Sequence, residues 1–132
     1  MVASFRAVRE AWRTGHPKYR DPVVVMNADD GKVIQSFRIS GGADAEVYDD
    51  KTGLIFVSTC EGWIHIFHKD SPDHYSEASK VKTEFGAKTM AYDLQTDRIF
   101  VDTADLGKAP EPTKEHPHPR PMPMSGTFHL LV

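Results

Sequence analysis

Residues 42–59 read GADAEVYDDKTGLIFVST, and the same pattern returns at residues 86–103 as GAKTMAYDLQTDRIFVDT. The two stretches align at a constant shift of 44 residues without a gap, and nine of the eighteen positions are identical. Turn residues and strand residues both fall in matching slots. A period of this length indicates that the chain is built from copies of one supersecondary unit.

Each copy has the composition of a β-hairpin. Residues 54–57 and 99–101 are aliphatic or aromatic and mostly β-branched, and each run follows a polar turn, at 49–53 and 93–97. Such runs are typical of strands entered from tight turns. Further short candidates complete a unit of four strands, and they are residues 45–48, 89–92, 62–67 and 75–83.

The flanking sequence continues the pattern on both sides. Residues 22–26 and 33–39 form a candidate hairpin around Asp30-Gly31, and residues 127–132 form a candidate third strand of the last unit. We therefore predict repeat units over residues 21–132, comprising a half blade (21–40), a full blade (41–84) and a three-stranded blade (85–132).

The fold class that these units predict is all-β, namely a partial β-propeller of about 2.5 four-stranded antiparallel blades. Continuous apolar runs such as residues 23–26 fit strands that are covered on both faces. An α/β fold is the main alternative, but no amphipathic helix of adequate length separates the candidate strands. Closed propellers have about 4 to 8 blades, so one copy cannot close the ring. We expect missing blades or further copies of the chain as partners at the open blade edges.

Two segments lie outside the repeat. Phe5, Val8 and Trp12 stand at helical spacing, which predicts a short helix over residues 3–13 within a basic stub, residues 1–20. Residues 107–126 hold six of the nine prolines. Proline at this density forbids ladder pairing, so we predict a long surface loop between two strands of the last blade.

Charge and composition exclude several classes of protein. The net charge is -3, with five basic residues and one acidic residue in the stub, and an acidic remainder. An acidic body argues against a surface that grips nucleic acid. No apolar run approaches the roughly 20 residues of a membrane span. Charges also interrupt any signal peptide, which leaves the cytoplasm as the default compartment. The single cysteine, Cys60, can form no internal disulfide.

Residues 49–59 and 93–103 resemble the Asp-x-x-Thr-Gly-x-Ile-Tyr-Val-x-Asn pattern of the YVTN or YncE-like β-propeller repeat family. Phe56 and Phe100 stand where tyrosine is usual, and the resemblance covers residues 21–132. It implies a seven-bladed and commonly exported or periplasmic parent. Members mostly bind or scaffold without an established reaction, so we expect a non-catalytic binding protein with an unknown ligand. The alternative is part of a lactonase-like or metal-dependent propeller enzyme, whose site needs blades that this chain lacks.

None of the histidines, the cysteine or the paired glycines predicts a functional site by itself. His116 and His118 form the best local metal pair, but a metal normally needs three or four ligands, so a solvated loop is the simpler interpretation. His65 lies between large residues and is expected in the core or an interface. Cys60 lacks a neighbouring histidine that would mark a nucleophile. Gly41-Gly42 precedes no helix, which argues against a phosphate loop. We expect no catalytic residue, cofactor or metal ligand.

Charged residues divide into a turn set and an inner-strand set. The turn set recurs in successive repeats and is expected to bond backbone groups rather than to catalyse. It consists of Asp49, Asp50, Asp93 and Asp97. The inner-strand set, Asp44, Glu46 and Lys88, could face a central channel and bind a ligand there. In the stub, Arg6, Arg9 and Arg13 with Phe5 and Trp12 could contact an anionic membrane or a partner, although a frayed helix is the simpler reading.

Overall fold

The computed structural model describes residues 3–7 and 22–132 of the chain. These residues form ten strands in three antiparallel sheets and contain no helix. The sheets follow one another along the chain, and we call them the first (β1-β2-β3), central (β4-β5-β6-β7) and last (β8-β9-β10) sheet. The strands are β1 (Ala3–Ala7), β2 (Pro22–Asn27), β3 (Val33–Arg38), β4 (Ala43–Asp49), β5 (Leu54–Thr59), β6 (Trp63–Ser71), β7 (His74–Lys82), β8 (Met90–Asp93), β9 (Arg98–Thr103) and β10 (His129–Leu131).

The strand predictions for residues 22–132 are confirmed within a few residues at each end. The central sheet is a simple meander in which every neighbour along the chain is also a neighbour in space. Its β5 is buried at five successive positions, from Ile55 to Thr59. Successive side chains of a strand point to opposite faces of the sheet. Both faces of this strand are therefore covered, as the apolar run predicts.

The first sheet contains the one wrong prediction of secondary structure. Residues 3–7 of the predicted helix form β1, which pairs antiparallel with β2 from Ala3 opposite Asn27 to Ala7 opposite Val23. Residues 8–13 of that prediction lie outside the described residues. A helix of eleven residues is marginal in water, whereas the edge of β2 offers a row of backbone partners. Tertiary pairing therefore overrides the helical spacing of the apolar side chains.

The last sheet includes the long proline-rich loop between β9 and β10. The predicted span of this loop, residues 107–126, contains no strand and one isolated bridge, between Pro123 and Leu106. Its base is closed by backbone hydrogen bonds, from the Gly107 amide to the Met122 carbonyl at 2.9 Å and from the Met124 amide to the Asp105 carbonyl at 2.8 Å. The loop therefore leaves the sheet and returns to it at one place.

Two apolar layers hold the three sheets together as an open stack. Alternation along β5 sends Ile55 and Val57 toward the first sheet and Phe56 toward the last. Phe67 is fully buried in the first layer, where its ring lies 4.7 Å from that of Phe37. At the margins, β3 lies against β7 and β4 against β8. The other buried members of the first layer are Val23, Val25, Ile39, Ala43 and Tyr75, and those of the second are Ile64, Ala87 and Val101.

The repeat is visible in the backbone as well as in the sequence. Gly42 and Gly86 occupy the same slot and have φ of 76° and 91°. Asp97 has φ of 52°, and Gly53, the residue 44 positions earlier, has φ of 72°. Positive φ is disfavoured for residues other than glycine. The copy that carries aspartate nevertheless keeps the same turn geometry.

Candidate functional site

The repeated aspartates build the turns between the first two strands of each repeat. Asp49 accepts hydrogen bonds from the Lys51 amide at 3.1 Å and from the Thr52 hydroxyl. Asp93 accepts the corresponding bonds from the Gln95 amide at 2.9 Å and the Thr96 hydroxyl at 2.6 Å. In each case the threonine hydroxyl is the main cause that holds the pKa of the aspartate below its usual value. These two carboxylates have the turn role that the sequence predicts.

Tyr92 joins the two turns across the layer between the central and last sheets. Its hydroxyl lies 3.2 Å from Asp97 Oδ1 and 3.4 Å from Asp49 Oδ2, and its ring lies 5.4 Å from that of Phe56. Burial, followed by the bond to Asp97 and the charge of Asp49, raises the pKa of Tyr92 to about 12. The phenol therefore stays protonated at neutral pH and donates toward either carboxylate, which removes it from acid–base chemistry.

His65 is buried between the first and central sheets, as expected of an interface histidine. Its Nε2 lies 2.6 Å from Ser40 Oγ and accepts the Ser40 amide at 3.2 Å, while its Nδ1 lies 3.7 Å from Glu77 Oε1. This order of serine, histidine and glutamate has the residue types of a hydrolase triad. However, the Ser40 amide already donates to the nitrogen that a general base would need. The arrangement instead fastens the loop after β3 to β6.

Two of the three predicted inner-strand residues meet across the central and last sheets. Asp44 and Lys88 occupy the same repeat slot with opposite charges, and Lys88 Nζ lies 3.5 Å from Asp44 Oδ1. The Thr89 hydroxyl lies 3.4 Å from Asp44 Oδ2. The pair links β4 to the segment just before β8, which gives both residues a structural partner. Glu46 lies in β4, two residues along the strand from Asp44.

The remaining sequence candidates stay apart. His116 and His118 line a concavity of about 490 Å³ inside the proline-rich loop. Among the described residues, no group of three histidine, cysteine or acidic side chains could hold a metal ion. Cys60 is half-buried and follows β5 directly. Arg9 and Arg13, like Trp12, fall outside the described residues.

A groove of about 580 Å³ runs between the central and last sheets. Its apolar lining comes mainly from Ile64, Ile66 and Val81 on one side and from Val101 and Leu131 on the other. Charged side chains contribute at its rim, namely Lys82, Glu84, Asp97 and Arg98. Sequence reasoning did not find this groove, because it depends on how two sheets separate at their outer margin.

The groove borders a strand edge that has no neighbour among the described residues. In the central sheet, β6 pairs with β5 on one side and with β7 on the other. In the last sheet, β10 occupies the equivalent third position, since Trp63 lies opposite Thr59 and His129 lies opposite Thr103. The fourth position beside β10 is vacant in the described part of the chain, and the groove lies where the inner face of such a strand would pack.

His129 fixes the start of β10 at this edge. Its Nδ1 lies 2.8 Å from the Thr127 carbonyl and its Nε2 lies 3.0 Å from Glu84 Oε2. The carbonyl bond is the larger cause and the glutamate the next, and together they raise the pKa of His129 above its ordinary value. A protonated imidazole donates to both acceptors at once, which ties β10 to the segment after β7.

Comparison of the chain with protein-family models, with curated proteins and with solved structures gives no match. The similarity to YVTN and YncE-like repeats therefore stays a prediction from the sequence pattern. None of the described residues belongs to a helix that could span a membrane.

Proposed function

We propose that the chain is part of a YncE-like β-propeller repeat protein and that it binds an extended polypeptide segment rather than catalysing a reaction. The observation that carries this proposal is the apolar groove beside the open edge of β10. An exposed sheet edge binds extended peptides through backbone hydrogen bonds, and pockets beside it select alternate side chains.

The central sheet provides the pattern for the bound segment. There β7 lies beside β6 as the fourth strand, with Val81 opposite Ile64. A segment added to β10 would take the equivalent place in the last sheet. Its inward side chains would contact Leu131 and Val81, so we expect them to be apolar at every second position.

The rim of the groove includes charged residues of both signs. Glu84 is engaged by His129, and Asp97 accepts from the Tyr92 hydroxyl. The Lys82 ammonium donates to the Glu61 carbonyl at 3.1 Å and lies 4.7 Å from the centre of the Trp63 ring. The apolar walls therefore select the ligand, and the ligand that fits is an extended segment with alternating apolar residues.

Binding is favoured over catalysis because the recurring carboxylates are already occupied. Asp49 and Asp93 accept bonds from their own turns, and their lowered pKa values keep them ionised at neutral pH. Such groups are unsuited to donate a proton. Tyr92 is likewise unsuited to act as a base, because its raised pKa keeps the phenol protonated at neutral pH.

The test uses a fluorescent peptide of sequence Glu-Val-Thr-Val-Thr-Val-Glu and measures its anisotropy as protein is added. A second peptide with proline in place of the central valine is the control, because proline removes a ladder donor. We expect the first peptide to bind at least tenfold more tightly than the second.

A matched pair of variants locates the binding site. Val81→Asn changes the groove wall and Leu94→Asn changes the turn after β8, and the two side chains are 49% and 50% exposed. We expect Val81→Asn to weaken peptide binding at least tenfold and Leu94→Asn to leave it unchanged. Equal binding of both peptides, or equal binding by both variants, would contradict the proposed function.

A further inference from the structure

A hydrogen bond joins the two walls of the groove. Glu84 lines the groove from the segment after β7, and Leu131 and Val132 line it from β10 and the residue that follows. His129 is the first residue of β10, and its Nε2 lies 3.0 Å from Glu84 Oε2. The pair therefore connects the wall that belongs to the central sheet with the wall that belongs to the last sheet.

The two residues that His129 contacts are themselves held by backbone hydrogen bonds. The Thr127 hydroxyl accepts the Asp105 amide at 3.0 Å, at the closed base of the proline-rich loop. The Glu84 carbonyl accepts the amide of the fully buried Ala87 at 3.1 Å. The imidazole therefore lies between two groups whose main chains are fixed by other parts of the fold.

Both ring nitrogens of His129 face hydrogen-bond acceptors. Nδ1 lies 2.8 Å from the Thr127 carbonyl oxygen, and Nε2 lies against a carboxylate oxygen of Glu84. A neutral imidazole donates from one nitrogen only, whereas an imidazolium donates from both. Both contacts are therefore hydrogen bonds only when the ring is protonated.

The charges around His129 also favour the protonated ring. Glu84 acts on it from the segment after β7 and Asp105 from the segment after β9, and both carboxylates attract the imidazolium. The residue opposite His129 on β9 is the uncharged Thr103. Lys82, which also lines the groove, donates to a backbone carbonyl of the central sheet.

The wall that His129 holds is the weaker of the two. β10 has three residues and pairs with β9 at three positions, whereas β6, in the equivalent place of the central sheet, pairs with β5 at six. A short strand at the margin of a sheet opens more readily than a long one. Binding that needs β10 in place therefore carries a cost of ordering it, and a bond at its first residue reduces that cost.

We propose that His129 is a positioning residue of the groove, whose imidazolium holds β10 in the arrangement that binds an extended peptide. The groove then binds the peptide more tightly when His129 is protonated than when it is neutral. His129 acts through β10, since it is not itself one of the residues that line the groove. This inference rests on the proposed function of the groove and adds a dependence on pH.

The direction of the pH dependence follows from the contacts of the ring. The Thr127 carbonyl, followed by Glu84, raises the pKa of His129 above its ordinary value near 6.5. Its contribution is therefore complete below pH 6.5 and is lost as the pH rises through the folded value. By reciprocity, a peptide that binds the protonated form better must raise the pKa of His129 further.

The first experiment measures binding of the Glu-Val-Thr-Val-Thr-Val-Glu peptide to the full chain at pH 5.5 and pH 8.5. The peptide carries a dye that does not respond to pH and an amidated end, and its glutamates titrate near 4.3, so its own charge is constant. The pair is partly exposed, at 38% and 50%, so we expect a modest effect, with binding about threefold tighter at pH 5.5. Equal affinities would overturn the proposal.

Two variants separate positioning by a charge from a merely structural role. His129→Gln has no charge at either pH and should bind the peptide at pH 5.5 as weakly as the wild type does at pH 8.5. Glu84→Gln keeps the shape of the partner and should reduce the pH dependence. His74→Gln, at the start of β7 and 68% exposed, does not line the groove and should keep the wild-type pH dependence. A His129→Gln variant that keeps the pH dependence would contradict the proposal.

A measurement on the wild type alone supplies a second test. NMR titration of the His129 ring with and without saturating peptide should show that the peptide raises its pKa, in proportion to the ratio of the two dissociation constants. An unchanged pKa would overturn the inference. A peptide that binds equally at both pH values would reject the role of His129 and leave the proposed function standing, whereas failure to bind at either pH would reject both.

Discussion

The two layers of the stack show how the same repeat produces a closed interface in one place and an open one in another. Between the first and central sheets, eight buried side chains form a continuous core that includes the fully buried Phe67. Between the central and last sheets, four buried side chains leave a groove at the outer margin. The difference follows from the fourth strand, which β7 supplies in the central sheet and which no described residue supplies beside β10. An identical turn motif therefore does not guarantee an identical environment.

The largest expected difference is between the equivalent phenylalanines of the two repeats. Phe56→Ala should reduce the free energy of unfolding by about 3–5 kcal/mol, because it leaves a cavity against Tyr92. Phe100→Ala should cost less than about half as much, because Phe100 is only partly buried. Urea unfolding of both variants measures the two values. Equal losses would contradict this difference in burial.

The next largest difference concerns the glycines that begin the two copies. Both have positive φ, which costs an alanine roughly 1–2 kcal/mol. At Gly42 an added Cβ would also lie 2.6 Å from Cys60 Cβ, whereas at Gly86 the nearest atom is Leu106 Cδ1 at 3.5 Å. Gly42→Ala should therefore destabilise the chain by about 3 kcal/mol or more, and Gly86→Ala only by the backbone cost. Thermal unfolding distinguishes the two, and a milder effect at Gly42 would contradict the close contact.

A smaller effect concerns acid stability. The lowered pKa of Asp49 means that its stabilising contribution is present above the unfolded value near 3.8 and is lost as the pH falls through the folded value. Thr52→Val removes the main cause of that shift. The variant should be less stable than the wild type at neutral pH, and this gap should close as the pH falls below 3.8.

Thr96→Val is the matched change in the second turn, where Thr96 is the main cause of the lowered pKa of Asp93. Asp49 keeps the bond from the Lys51 amide and Asp93 keeps the bond from the Gln95 amide, so part of the acid dependence should survive in both variants. Unfolding free energies measured from pH 7 to pH 2 test this expectation. A gap that stays constant with pH would rule out the carboxylates as its source.

The smallest effect is expected at the edge of the last sheet. The pKa of His129 is raised, so its contribution to stability is full below the unfolded value near 6.5 and is lost as the pH rises through the folded value. Hydrogen exchange of the β10 amides should therefore accelerate as the pH rises through this window, beyond the intrinsic increase. Glu84→Gln removes the charged partner and should shrink this excess, while the exchange of β5 stays unchanged.

The sequence was sufficient to predict most of the strands, because local chemistry determines them. The Asp-x-x-Thr turns and the β-branched runs after them recur at a fixed spacing, so each hairpin could be located without tertiary information. The helix predicted from Phe5, Val8 and Trp12 was wrong over residues 3–7. Its apolar spacing is a weak signal, and pairing with β2, about twenty residues away, decides the outcome.

The candidate sites were less predictable, because they depend on contacts between distant residues. His65 was expected in an interface, but its partner Ser40 lies 25 residues away and has no marker in the sequence. The pairing of Asp44 with Lys88 could have been predicted from the sequence, since the two residues occupy the same repeat slot. The groove could not be predicted, because its lining brings together residues that are far apart in the sequence.

The base of the proline-rich loop is closed by hydrogen bonds, so the geometry of the two strands that the loop joins does not depend on the length of the loop. Gly107 and Met122 are held together, as are Asp105 and Met124, so β9 and β10 are aligned before the chain departs. Doubling a flexible loop adds only about 0.6 kcal/mol of closure entropy. A foreign domain with adjacent termini, such as a fluorescent reporter, could thus be grafted between Thr113 and His116 without disturbing β10, which would make this position a practical handle for cell biology.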